Sequence, residues 1–324
     1  MNKALRAWDR FWFEEVSTAP VALIRIALGA IVTLWTISLF NDAESFFTAN
    51  GILASMPPQQ NGGWSLFQLS SSYPFVLTVL VVLLLAAIAL TLGWHSRIAA
   101  VLVFIGLISV IRRDPYTFNS GDVLLKAIAF FVIFAPTSAS LSLDRYRKNR
   151  DDFWRFPKRA IWPLRLLQIQ MSVIYTTAVW DKVRGVTWNN GTAASYAQRL
   201  DDLARFRLPN WITTSEPLAN MFTFGTLAVE LALGLLVWNK TLRPWVLLAG
   251  VGLHLGIDLT IRVGFFSYTI LLLYIAFVSP KRAEQFVHWV RSKLAAIRLG
   301  SVSGRFRRDN TSVHASRPRD SFDA

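Results

Sequence analysis

Apolar runs of roughly 18 to 22 residues recur between Ala19 and Val278, each about the length a helix needs to cross ~30 Å of hydrocarbon. Inside a bilayer the backbone finds no water to bond, so only helices and closed barrels can span it. The regular alternation of barrel strands is not repeated along this chain. The sequence therefore predicts an all-α fold, a polytopic transmembrane helical bundle. About eight spans are expected, at roughly 20–41, 74–93, 97–112, 121–137, 162–181, 217–238, 243–261 and 263–279.

Loop charges orient such a bundle, because Lys and Arg collect in cytoplasmic segments. With the N-terminus inside, the cytoplasmic side receives Lys3, Arg6, Arg10, Arg97, the basic run from Arg145 to Arg159, Lys240, Arg243 and the basic residues after Pro280. The outer segments keep only Arg112, Arg113, Lys182, Arg184, Arg199, Arg205, Arg207 and Arg262. Both termini are thus predicted to be cytoplasmic, in a multi-pass protein of the cell membrane. The net charge of +14 then reflects topology and contact with anionic lipid, and no nucleic-acid partner is expected.

The flanking segments differ from the 20–280 membrane domain. Residues 1–19 set Trp8, Phe11, Trp12 and Phe13 among charges, the pattern of an amphipathic helix lying in the interface. Residues 281–299 offer one apolar face through Phe286, Trp289, Val290 and Leu294, and the basic tail 300–324 is expected to be disordered. The absence of cysteine excludes disulfides, thiol catalysis and thiolate metal sites.

Function has to come from polar groups among the helices. An ionisable side chain at membrane depth costs about 2.5 to 3.5 kcal/mol on insertion scales and marks a site by default. Lys182, at the outer end of its span with Asp181, reads either as a lysine snorkelling to the interface beside Trp180 and Trp188 or as a partly buried base. His254 and Asp258, four residues apart, share a helix face; such a pair can orient an imidazole, supply two metal ligands, or only hydrogen-bond. A metal would need a further ligand such as Asp122 or Asp181, and no metal site is assigned. Glu230, read as lying in the inner half with Arg25 and Arg165 nearest its depth, is expected to form a structural ion pair with one of them.

Four motifs resemble those of one family. Leu92-Gly-Trp-His-Ser-Arg-Ile98 is similar to a Leu-Gly-x-x-x-Arg-Ile turn, and Asp114 through Asn119 to the start of an Asp-x-x-x-Trp-Asn-Asn-His loop. Tyr175-Thr-Thr-Ala-Val-Trp-Asp-Lys182 resembles the segment carrying a catalytic lysine, and His254, Gly264 and Phe266-Ser-Tyr268 follow a His-x(9)-Gly-x-Phe-Ser-Tyr pattern. By these the chain resembles the horizontally transferred transmembrane domain family, relatives of the vitamin K-dependent gamma-carboxylases, over roughly residues 20 to 280.

The resemblance implies Lys182 as base toward a reduced naphthoquinone, the cofactor expected on this reading. His254 and Asp258 would polarise it or relay protons, and Trp180, Phe265, Phe266, Tyr268 and Trp188 would stack on its ring. Two departures matter: Gly121 stands where the carboxylases carry a histidine, for which Asp122 could substitute, and Asp181 replaces a basic neighbour of the lysine. Propeptide-directed carboxylation is therefore not expected. The alternative implied by bacterial relatives is a non-enzymatic membrane factor for maturation or export of a secreted peptide. Expected partners are the lipid bilayer and either such a peptide or a redox protein.

Overall fold

The computed structural model describes residues 2–52, 63–114, 116, 117 and 119–313 of the 324, with side chains described as far as Ala296. Met1–Val278 form one compact unit and Ser279–Ala324 a second. In the first unit the long helices are α1 (Lys3–Phe13), α2 (Ala19–Leu39), α3 (Tyr73–Leu92), α4 (Ser96–Arg113), α5 (Ser120–Phe134), α6 (Trp162–Lys182), α7 (Glu216–Leu235), α8 (Arg243–Thr260) and α9 (Phe266–Tyr274). The helices α2 to α9 fall where the apolar runs predict them.

Helix starts follow local chemistry. Pro20, Pro74, Pro163, Pro217 and Pro244 sit in the first turns of α2, α3, α6, α7 and α8, where a missing N–H costs nothing and φ is already helical. Asn119 and Asp122 cap α5 reciprocally, the Asn119 side chain accepting from the Asp122 amide while the Asp122 carboxylate accepts from the Asn119 amide.

Three helices, Ala19–Leu39, Tyr73–Leu92 and Glu216–Trp238, are each long and apolar enough to cross a membrane. Much of their apolar surface faces outward: Leu34, Ile37, Val81, Val82, Leu85 and Leu235 are exposed. In water a belt of that kind would be a liability; against lipid chains it is ordinary surface.

Inside, α2, α3, α4 and α5 pack in chain order around Leu28, Val32, Leu80, Leu83, Leu107 and Leu125, all fully buried or nearly so. Helices α6, α7 and α8 form a second group, and α9 touches both α8 and α5. Two three-residue strands depart from the all-α expectation: β1 (Glu15–Ser17) and β2 (Lys158–Ala160) pair antiparallel, with Val16 opposite Arg159. The pairing fastens the chain just before α2 to the chain just before α6, so α2 and α6 enter the bundle from the same end.

Arg25 lies at that end, fully buried in α2. It donates to the carbonyls of Thr137 at 3.3 Å and Leu141 at 2.6 Å. Its guanidinium rests against Gly93, which closes α3 at φ +74°, so the Leu92–Ile98 turn is held by an arginine from a distant helix. Asp144 completes the turn, accepting from the His95 amide at 2.9 Å. Arg165 is held elsewhere: its Nε donates to the Phe11 carbonyl at 3.1 Å, and its guanidinium stacks on the Phe11 ring at 4.7 Å. Neither arginine meets Glu230, and the expected structural pair is not formed.

In the second unit α10 runs from Pro280 to Val313. The backbone stays helical past Gly300, where the basic composition predicts disorder. Arginine is a good helix former, so basic composition alone does not decide against a helix. Residues 314–324 lie outside the described residues.

Candidate functional site

Lys182 is the last residue of α6, and its ammonium bonds both carboxylate oxygens of Glu230 from α7. The Lys182 side chain keeps 25% of its surface and Glu230 only 8%. The expectation put Lys182 at the outer interface and Glu230 in the inner half; the structure puts them at one level. The reason lies in α7, which begins at Glu216, fourteen residues before Glu230 and thus about 21 Å further along the helix axis. Helix α6 therefore stops alongside the middle of α7. The Nζ also sits 5.1 Å from the centroid of the Trp188 ring, a cation–π contact from the chain just after α6.

The segment after Trp188 covers this level instead of leaving the bundle. The Ala194 amide bonds Thr223 Oγ1 of α7 at 3.0 Å, and Gln198 Nε2 bonds Thr260 Oγ1 of α8 at 3.0 Å. Arg205 donates from its backbone to the Thr260 carbonyl, and Arg262 from its backbone to Leu203, making a short bridge between the two loops.

Beneath the pair lies a second polar group. Tyr175, seven residues before Lys182 and so on the same face of α6, has its hydroxyl 2.7 Å from His254 Nε2 of α8 and 2.7 Å from the Tyr274 hydroxyl of α9. All three residues are almost fully buried. An ion pair and a polar triad, contributed by four helices, thus lie on one face of α6 inside an apolar bundle.

His254 and Asp258 share a face of α8 as their spacing predicts, yet they serve different partners. Asp258 accepts from Arg205 at 3.3 Å and from the Tyr268 hydroxyl at 3.1 Å, near the covering loop. The imidazole is set by Tyr175, not by Asp258. Phe266 meets the His254 ring edge-on at 5.6 Å, whereas Trp180 is exposed and carries the Arg184 guanidinium 4.3 Å from its ring centroid. Trp180 and the largely exposed Tyr268 are therefore not brought to the polar centre.

Asp122 is also placed away from it. Its Oδ1 accepts from the Trp35 indole at 2.8 Å and its Oδ2 from the Asn119 amide at 3.0 Å. One oxygen ties α5 to α2 and the other caps α5 itself, so the carboxylate is occupied structurally. A side chain at Gly121 has no room: a Cβ there would lie 2.6 Å from the Phe266 Cα. Trp35→Phe is expected to lower stability by about 1 to 3 kcal/mol through the unsatisfied carboxylate oxygen, as read from the unfolding transition in detergent.

Beside Asp122 opens a cavity of about 280 Å³ lined by Trp35, Asp42, Asn119, Asp122, Gly264 and Phe265 among others. Phe265 forms its wall while the next residue, Phe266, packs on His254. Among the described residues no group of three His, Asp or Glu is arranged to hold a metal ion.

A family model described as the HTTM domain matches residues 13–281. The chain belongs to the HTTM-domain family. No curated protein and no solved structure matches it. The family is that of the gamma-carboxylase membrane domain, and the match covers α2 to α9 of this HTTM chain with the first residues of α10. Tyr175 and Tyr274 were not singled out by sequence reasoning. For Tyr175 a signal exists in its seven-residue spacing from Lys182; for Tyr274, in an apolar run, none does.

Proposed function

We propose that this HTTM-domain protein is an intramembrane acid–base catalyst acting on a lipid-soluble quinol, with the Lys182–Glu230 pair as proton acceptor. The observation that carries this reading is the pair itself. A buried ion pair contributes little net stability compared with apolar residues of the same volume, so its placement under a cap and beside three further polar groups favours use over packing. In low dielectric the pair can pass its proton from Lys182 to Glu230, which leaves both groups neutral and the amine free to take a proton from a substrate hydroxyl. The Lys182 surface that stays open, next to Trp188, supports approach of an aromatic ring from the lipid. The quinol enters as a substrate; binding, orientation and the exclusion of water would fall to Trp188, Phe266 and the loop over α7 and α8.

On this reading α2 to α9 are eight membrane spans, both termini face the cytoplasm, and the chain resides in the cell membrane. Oxygen uptake with a reduced naphthoquinone, using purified protein in lipid nanodiscs, tests the chemistry. Wild type should consume oxygen above background. Lys182→Met/Glu230→Leu, which keeps the bundle apolar and packed, should fall to background while remaining folded. Uptake equal in both proteins would instead favour the second reading, a membrane factor for maturation or export of a peptide, which the exposed aromatic residues of the covering segment, Tyr196, Phe206 and Trp211, support as a contact surface.

A further inference from the structure

At the end of the bundle where α2 and α6 begin, an open cavity of about 330 Å³ is lined by Arg97, Pro136, Thr137 and Ser138 among others. Arg97 is the second residue of α4, and Pro136 to Ser138 belong to the connection that follows α5. The Arg97 guanidinium is exposed and has no partner among the described residues. Thr137 is only 3% exposed; its carbonyl accepts from Arg25, but its hydroxyl has no hydrogen-bond partner among the described residues. His95 precedes α4 without capping it through its side chain, so the first amides of that helix are left for another acceptor. A helix start of this kind favours an anion. The acid at this turn, Asp144, is already engaged by the His95 amide and the Ser138 hydroxyl, and Arg147, Lys148 and Arg150 are exposed just beyond it.

The cavity lies at the head of an apolar face. Arg97, Val101 and Phe104 share one face of α4, and Phe104 lies about 10 Å along the axis from Arg97. The Phe104 ring meets Phe130 of α5 at 5.4 Å, and Phe130 meets Phe134 at 5.2 Å. Phe130 and Phe134 are both exposed, and Phe134 is followed directly by Ala135 of the cavity wall. We propose that this is a binding site for an anionic glycerophospholipid, with its phosphate held by Arg97 and the Thr137 hydroxyl and an acyl chain lying along Phe134, Phe130 and Phe104. Basic loops attract a charged leaflet diffusely; here one guanidinium and one hydroxyl converge at the top of a continuous aromatic track, which selects a single lipid position. The site does not draw on the quinol reading and stands or falls apart from it.

Native mass spectrometry of the full chain, released from detergent containing equal amounts of dioleoyl phosphatidylglycerol and dioleoyl phosphatidylcholine, tests it. The ratio of the two lipids retained is the reading, because a general loss of folding would not change it selectively. Wild type should keep one phosphatidylglycerol in preference. Arg97→Gln should lower that preference about fivefold, the worth of one basic contact at a membrane surface, and Thr137→Val, of similar volume, about threefold. Phe134→Ala should reduce retention of both lipids, and inorganic phosphate, which carries the charge without the chains, should displace neither. No preference in wild type overturns the site. So does an equal fall in Arg97→Gln and in Lys240→Gln, an exposed basic residue at the same end of the bundle, since only diffuse attraction would then remain. Displacement by inorganic phosphate, or unchanged retention in Phe134→Ala, would make the occupant a free anion and overturn the lipid assignment.

Discussion

Lys182→Ala is expected to lower the unfolding free energy by about 3 kcal/mol, because it strands the Glu230 carboxylate among apolar side chains. The value belongs at the low end of the range for broken buried pairs, since Lys182 retains 25% of its side-chain surface while Glu230 retains 8%. Glu230→Ala should cost less: a stranded ammonium can turn its flexible stem toward the open side near Trp188. The double variant Lys182→Met/Glu230→Leu should recover most of the loss, because apolar residues of similar volume replace both desolvated charges. Chemical unfolding in one detergent, with all four proteins compared, reads these differences. Single variants as stable as wild type would mean that water reaches the pair, and the argument for an intramembrane acid–base site would go with it.

Gly93→Ala is the second large effect expected, a loss of about 2 to 5 kcal/mol from left-handed backbone strain together with overpacking. Gly93 ends α3 at φ +74°, and an added Cβ would lie 1.8 Å from an Arg25 guanidinium nitrogen and 2.7 Å from the Ser142 Cα. The backbone of Ser142 cannot yield cheaply, so the guanidinium must leave its carbonyls at Thr137 and Leu141. That would unpin α2 from the connection after α5. Gly256→Ala is the control: its Cβ would meet nothing within 4 Å, so the substitution should be neutral, or mildly stabilising through helix propensity. Equal transitions for Gly93→Ala and Gly256→Ala would show that Arg25 does not depend on the turn.

The departure at Gly121 leads to a related expectation. Gly121→His should destabilise the bundle, because the space is filled by the Phe266 backbone. Expression level and the unfolding transition suffice to check it.

What the sequence determined by itself was set by periodicity and span length. Backbone hydrogen bonds must close within each helix in lipid, so runs such as Val76 to Leu92 could only become helices, and α2 to α9 lie where those runs fall. Proline at helix starts and the Asn119–Asp122 cap are local, and local chemistry is legible without neighbours. The polar partners were not legible, because pairing depends on relative depth. Counting residues into a span put Glu230 near Arg25 and Arg165, on the assumption that each helix begins and ends at a common plane. Tertiary structure broke that assumption: α6 ends beside the middle of α7, since the chain from Trp188 to Asn210 folds back as a cover, and Lys182 thereby meets Glu230. The same packing turned His254 away from Asp258, its neighbour by spacing, toward Tyr175 and Tyr274. A buried hydrogen bond goes to whichever group the helices bring within about 3 Å, and helix offsets of one or two turns, set by loops and side-chain packing, choose that group.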